Sequence, residues 1–176
     1  VYTCCAFAGL ALTLFASYHR QLTWQQSAAI GITYAAVSAA AMYDYESMLI
    51  PNWIFLLLLA ARMALFGMET VIGGGYPQQA LLASALGCLL AGLILLIASR
   101  LSKGGVGAGD IKLFAAIGFA CGTEMALSVM MLSLIVCAIA GGIVLLLKKI
   151  KSAKDKMPFA PFIWGGFVLY MALILV

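Results

Sequence analysis

Charge is what this chain has least of: only 9% of its 176 residues are charged, against 65% hydrophobic. A soluble domain of that length and composition would have no surface to present to water, so the sequence describes an integral membrane protein. The same arithmetic leaves no room for a separate soluble domain. Apolar segments joined by short loops fill residues 1–176, which read as one membrane-embedded, all-α, polytopic domain. Histidine is almost absent, with His19 alone, and none of Cys4, Cys5, Cys88, Cys121 and Cys137 forms a C-x-x-C pair. A zinc site is thereby excluded, and no metal is expected. Cysteines inside apolar segments act as small hydrophobes. The net charge of +4 is no sign of a nucleic-acid partner, because the basic residues are few and gather at segment ends. The chain begins at Val1 with no charged leader region ahead of its first apolar stretch, as expected of a truncated or processed form.

A membrane-spanning helix takes about 20 apolar residues. The candidates are Tyr2–Ser17, Ser27–Tyr43, Pro51–Gly67, Ala80–Ser99, Ile111–Cys121, Met125–Leu147 and Phe159–Val176, giving six to seven transmembrane helices. Ile111–Cys121 is short, either a tilted span or a re-entrant piece. Loop charge favours seven crossings. Arg100, Lys103 and Lys112 then share a side with the run from Lys148 to Lys156, while His19, Arg20, Glu69 and Glu124 lie opposite. Basic loops stay inside, so Val1 is expected in the cytoplasm and Val176 outside. Arg62 lies within a span near its outer end and is expected to snorkel. Tyr18, Trp24 and Tyr76 suit the interface. Gly87, Gly92, Gly141 and Gly142 suit close helix contacts.

Against this apolar background two acids stand out. Gly104-Gly105-Val106-Gly107-Ala108-Gly109-Asp110-Ile111-Lys112 sets a carboxylate at the mouth of an apolar helix, and Asp44 sits at another helix end ahead of Ile50-Pro51-Asn52. Ionisable groups in such places are costly and point to function. The charge count, which ignores both acids, brings them to the same side of the membrane. Two adjacent carboxylates cannot both ionise cheaply, so their titrations split, as water activation and carbonyl protonation by an aspartyl pair require. Gly107 and Gly109 open the backbone to an extended substrate strand. Structural roles remain open: Asp110 as a helix N-cap, Asp44 as an interfacial residue, Glu46 as a solvated neighbour, Lys112 as a support or lipid contact, and the lysine run as a headgroup signal.

Asp44-Tyr45-Glu46-Ser47-Met48-Leu49-Ile50-Pro51-Asn52 resembles the first aspartate motif of the type IV prepilin peptidases, and Gly107-Ala108-Gly109-Asp110 with Ile111-Lys112 resembles their second, the GxGD motif. Met157-Pro158-Phe159-Ala160-Pro161-Phe162 is similar to the stretch opening their last helix. The resemblance covers essentially the whole chain. It implies a GxGD aspartyl protease architecture in the bacterial inner membrane, with an active site on the cytoplasmic side. The catalytic pair would be Asp44 and Asp110, with Gly107, Gly109, Lys112, Pro51 and Asn52 as supporting motif residues. The implied substrates are prepilins or pseudopilins, and no cofactor is implied. The zinc-binding insert of the longer, N-methylating members has no counterpart here, so methyltransferase activity is not expected.

Three other readings compete. The presenilin group shares a GxGD loop and a Tyr-Asp pair, matched by Tyr43-Asp44, but lacks the Ile50-Pro51-Asn52 sequel. A small ion-coupled transporter component would use the same acids as a cation or proton site, yet would favour acids near the midplane and paired internal repeats. A structural factor of a pilus or secretion machine would leave both acids incidental.

Overall fold

The computed structural model describes residues 2–19, 21–73, 78–102, 105–146 and 158–174. Tyr76, Arg20, Lys103, Gly104 and the lysine run, all of which figured in the sequence reading, lie outside them. Seven helices account for the described chain: α1 (Tyr2–His19), α2 (Trp24–Ser47), α3 (Asn52–Gly73), α4 (Gln78–Leu101), α5 (Ala108–Cys121), α6 (Thr123–Leu146) and α7 (Ala160–Ile174). The all-α expectation holds. Three helices are long and apolar enough to cross a membrane by themselves, over Asn52–Val71, Gln78–Leu101 and Thr123–Ile143. Large apolar side chains on their outer faces, among them Leu56, Leu89, Leu93, Met131 and Ile139, are exposed as lipid contact requires.

Helix boundaries follow local chemistry. Thr23 caps α2 through a reciprocal box, in which its hydroxyl accepts from the Gln26 N–H while the Gln26 side chain accepts from the Thr23 N–H. The helix ends where Met48 turns left-handed at φ 55° and donates its N–H to the Asp44 carbonyl. Pro51 stands one residue ahead of α3 rather than inside its first turn, with its carbonyl accepting from the Ile54 N–H. Between α5 and α6 a single residue, Gly122 at φ 86°, reverses the chain.

The short segment is the central one. α5 packs against α2, α3, α4 and α6 and buries Leu113, Phe114, Ala116, Ile117 and Ala120. It runs from Asp110, beside the C-terminal end of α2, to Cys121, whose thiol donates to the Thr33 hydroxyl on that helix. At 1.5 Å per residue its 14 residues cover about 21 Å, against about 36 Å for the 24-residue α2, α4 and α6 around it.

Close packing lets α5 sit there. Gly87 of α4 and Gly118 of α5 meet backbone to backbone, so that a Cβ on either would overlap the other's carbonyl. Gly166 of α7 gives the same access to Ser133 of α6, and Gly9 to the Tyr34 ring. Of the glycines singled out from the sequence, Gly87 has this role. Gly92 makes only an ordinary contact with Ala115, and Gly141 and Gly142 face open space. Gly118→Val is expected to lower the thermal unfolding midpoint in detergent, at a cost of about 1–3 kcal/mol. Gly141→Ala, with nothing to meet, should stay within about 0.5 kcal/mol of wild type.

Candidate active site

Three helix ends converge around the acids: the last turn of α2, the first turn of α5 and the first turn of α7. Asp44 is 7% exposed and Asp110 is 9% exposed. The two carboxylates interact electrostatically across the gap between α2 and α5. Two residues 66 positions apart in the chain are thus brought to one end of the bundle, as the charge pattern of the loops predicted.

Asp44 is held from an unforeseen direction. Its Oδ2 accepts the Ala160 backbone N–H at 2.9 Å, the first residue of α7. The free N–H groups and positive dipole end of a helix are natural partners for an anion. The resembling Pro158-Phe159-Ala160-Pro161 stretch therefore supplies a backbone donor rather than a side chain. Phe159 places it there, stacking on Phe114 of α5 and on Phe162. Its carbonyl caps the turn by accepting from Phe162 and Ile163. Pro161 suits this turn because its missing N–H has no intrahelical partner to lose. Sequence reasoning could find the stretch but not the donor, since a backbone N–H leaves no mark in the residue type.

Asp110 is not the N-cap of α5. Gly107 takes that position in an extended conformation, and Asp110, in the first turn, accepts a backbone hydrogen bond from Gly107 through its side chain. Its Oδ1 is buried with no partner. Asp110 precedes the apolar run of α5 and lies outside the three membrane-spanning stretches. Burial, and after it the charge of Asp44, push its carboxyl up to about 7, against the smaller opposing pull of the Gly107 bond.

The supporting motif residues act by proximity. A Cβ on Gly107 would sit 3.0 Å from the Asp110 Oδ2, and one on Gly109 would sit 3.2 Å from the Ile50 Cβ. Gly109 therefore lets the Ile50-Pro51-Asn52 loop close against α5. Lys112 donates from Nζ to the Asn52 Oδ1 at 3.0 Å, tying the starts of α3 and α5 together. It pairs with this amide, and the two motifs are joined by that bond. Glu46 is exposed. Among the described residues no cluster of three or more His, Cys, Asp or Glu is arranged to hold a metal ion.

Comparison with known proteins bears on this arrangement. Residues 31–146, which include both aspartates, match the model of the type IV leader peptidase family. A prepilin leader peptidase/N-methyltransferase of Bacillus subtilis (strain 168) is 34% identical over 133 residues, covering 73% of this chain and 49% of the relative. The chain thus spans about half the length of that relative. No solved structure matches it.

The raised titration of Asp110 has a sign that can be measured. Folding favours its protonated form, so its contribution to stability is whole below the ordinary value of 3.8 and is lost as pH rises through about 7. Wild type should lose thermal stability between about pH 4 and pH 7, and Asp110→Asn should not. Above that range the variant is expected to unfold at the higher temperature.

Proposed function

The chain belongs to the type IV leader peptidase family, and from that membership we propose that it is a membrane aspartyl endopeptidase that removes the leader of prepilins or pseudopilins. The observation that carries the reading is the buried carboxylate pair, in which Asp44 is hydrogen-bonded by a helix N-terminus while Asp110 is pushed toward its protonated form. That asymmetry is what peptide hydrolysis by two acids needs.

In the proposed reaction a water molecule attacks the scissile carbonyl. Asp44, ionised, accepts the water's proton, and Asp110 donates its own proton to the carbonyl oxygen. The tetrahedral diol then collapses with cleavage of the C–N bond. Asp44 passes the proton it took from water to the departing amine, Asp110 recovers one from a diol hydroxyl, and the new carboxyl group stays on the leader. The N–H of Ala160 holds the Asp44 carboxylate in place throughout.

The site lies at the bundle end, where α2, α5 and α7 present their termini. This position suits a substrate whose cut lies just before a membrane helix, because the extended segment need not enter the bilayer. Arg100 and Lys112 share that end, and the positive-inside tendency supports assigning it to the cytoplasmic face of a bacterial inner membrane.

The test is cleavage of a synthetic peptide with a basic leader, a glycine and an apolar helix, read by mass spectrometry. Asp44→Asn and Asp110→Asn are each expected to lower the rate by about a thousandfold or more with helical content unchanged. Retained cleavage in either variant would remove the mechanism. Glu46→Gln should stay within about threefold of wild type. The rate should fall as pH rises above about 7, where Asp110 gives up its proton.

Ala160→Pro deletes the donor to Asp44 at a helix position that accepts proline. It is expected to slow cleavage by about ten- to a hundredfold, the loss of one charge-assisted hydrogen bond at the reacting centre. An unchanged rate would show that the α7 terminus only packs against Asp44.

A further inference from the structure

At the end of the bundle opposite the aspartates, the shortness of α5 leaves a hollow. The helix stops at the level of Thr33, while α2, α4 and α7 continue past it. The space they enclose is a cavity of about 700 Å³, walled by residues such as Gln26, Ala83, Gly122, Ser128 and Tyr170. Arg62 lines this cavity.

Arg62 is in an unusual state. The sequence suggested that its stem would carry the charge out to the interface, but only 9% of the residue is exposed. The side chain bends toward this end of α3 and lays its guanidinium over the Phe66 ring, Cζ lying 4.2 Å from the centroid. Its Nε is buried and has no hydrogen-bond partner. Glu124 shares the cavity wall but is exposed, and forms no ion pair with Arg62. A guanidinium remains charged at every physiological pH, so protonation cannot relieve the cost of burying it. The aromatic face offsets only part of that cost. What the group lacks is an anion with several acceptor oxygens, and beside it lies a cavity with room for one.

We propose that this cavity is a binding site for a phosphate group, recognised by Arg62 and supplied either by the headgroup of a bilayer phospholipid or by free phosphate. Neither source is needed for the aspartyl chemistry at the other end. The site would tie α3 to the ends of α2, α4 and α7 where α5 no longer fills the bundle.

The experiment uses the full chain, purified and delipidated in a non-ionic detergent. Phosphatidylglycerol and, separately, inorganic phosphate are titrated in. Native mass spectrometry counts bound molecules, and thermal unfolding reads stabilisation. Wild type is compared with Arg62→Gln, Arg62→Lys and Ser128→Phe, the last keeping the arginine while filling the cavity. The expected result is one tightly held phosphate-bearing molecule on wild type. Its affinity should fall by about tenfold or more in Arg62→Gln and in Ser128→Phe, and by less in Arg62→Lys. Binding of the lipid alone identifies a headgroup site, and matching, competing binding of inorganic phosphate identifies a free-phosphate site. No binding of either by folded wild type overturns the proposal, as does equal affinity in wild type and Ser128→Phe. Should Arg62→Gln fail to fold, the Ser128→Phe comparison still decides the matter.

Discussion

Two carboxylates buried at one end of the bundle repel one another and have lost much of their water, and the site end of the molecule is arranged to tolerate that. Asp44 is stabilised by the N–H of Ala160 at the start of α7, while Asp110 is pushed toward its neutral form. The remedies differ, and the difference is useful. The proposed hydrolysis needs such a difference, since two anions or two acids cannot both take a proton from water and give one to a carbonyl. The asymmetry thus comes from the N–H that Asp44 accepts from α7 on one side and, on the other, from the burial of Asp110 beside the Asp44 charge.

The arrangement depends on α5. Its first turn carries Asp110, Gly109 admits Ile50, and Lys112 fastens Asn52. Phe114 receives Phe159 and so locates the donor to Asp44. Farther along, Gly118 lets the helix approach α4 to backbone contact, which fixes its position among its neighbours. One central helix therefore registers the ends of α2, α3 and α7. Its brevity has the second consequence of leaving the opposite end of the bundle hollow around Arg62. The two ends of the molecule have distinct characters, one a packed acidic site and the other an open cavity with a buried cation.

Such a division suits the proposed peptidase. The proposed reaction takes an extended scissile segment, and Gly105 and Gly107, ahead of Asp110, are exposed at the bundle end. The exposed apolar faces of α3, α4 and α6 meet lipid over the intervening depth. Rigidity at the acids comes from bonds between elements far apart in sequence, Asp44 with Ala160 and Lys112 with Asn52, so a shift of either α3 or α7 would be felt at the site.

The sequence by itself determined that the chain is a bundle of apolar helices, that Asp44 and Asp110 share one end of it, and that Pro51, Asn52, Gly107 and Gly109 belong with them. Hydrophobicity, loop charge and motif spacing are properties of residue type, and a membrane leaves few ways to satisfy them. Tertiary structure alone decided the rest. The donor to Asp44 is a backbone N–H, which every residue except proline possesses, so only packing could select Ala160. Gly118 and Gly166 make close contacts while Gly141 and Gly142 make none, because a glycine's role depends on which neighbour it faces. Arg62 stays buried instead of reaching the interface for the same reason: the length of its stem is written in the sequence, but the hollow beside it exists only because α5 ends before its neighbours do.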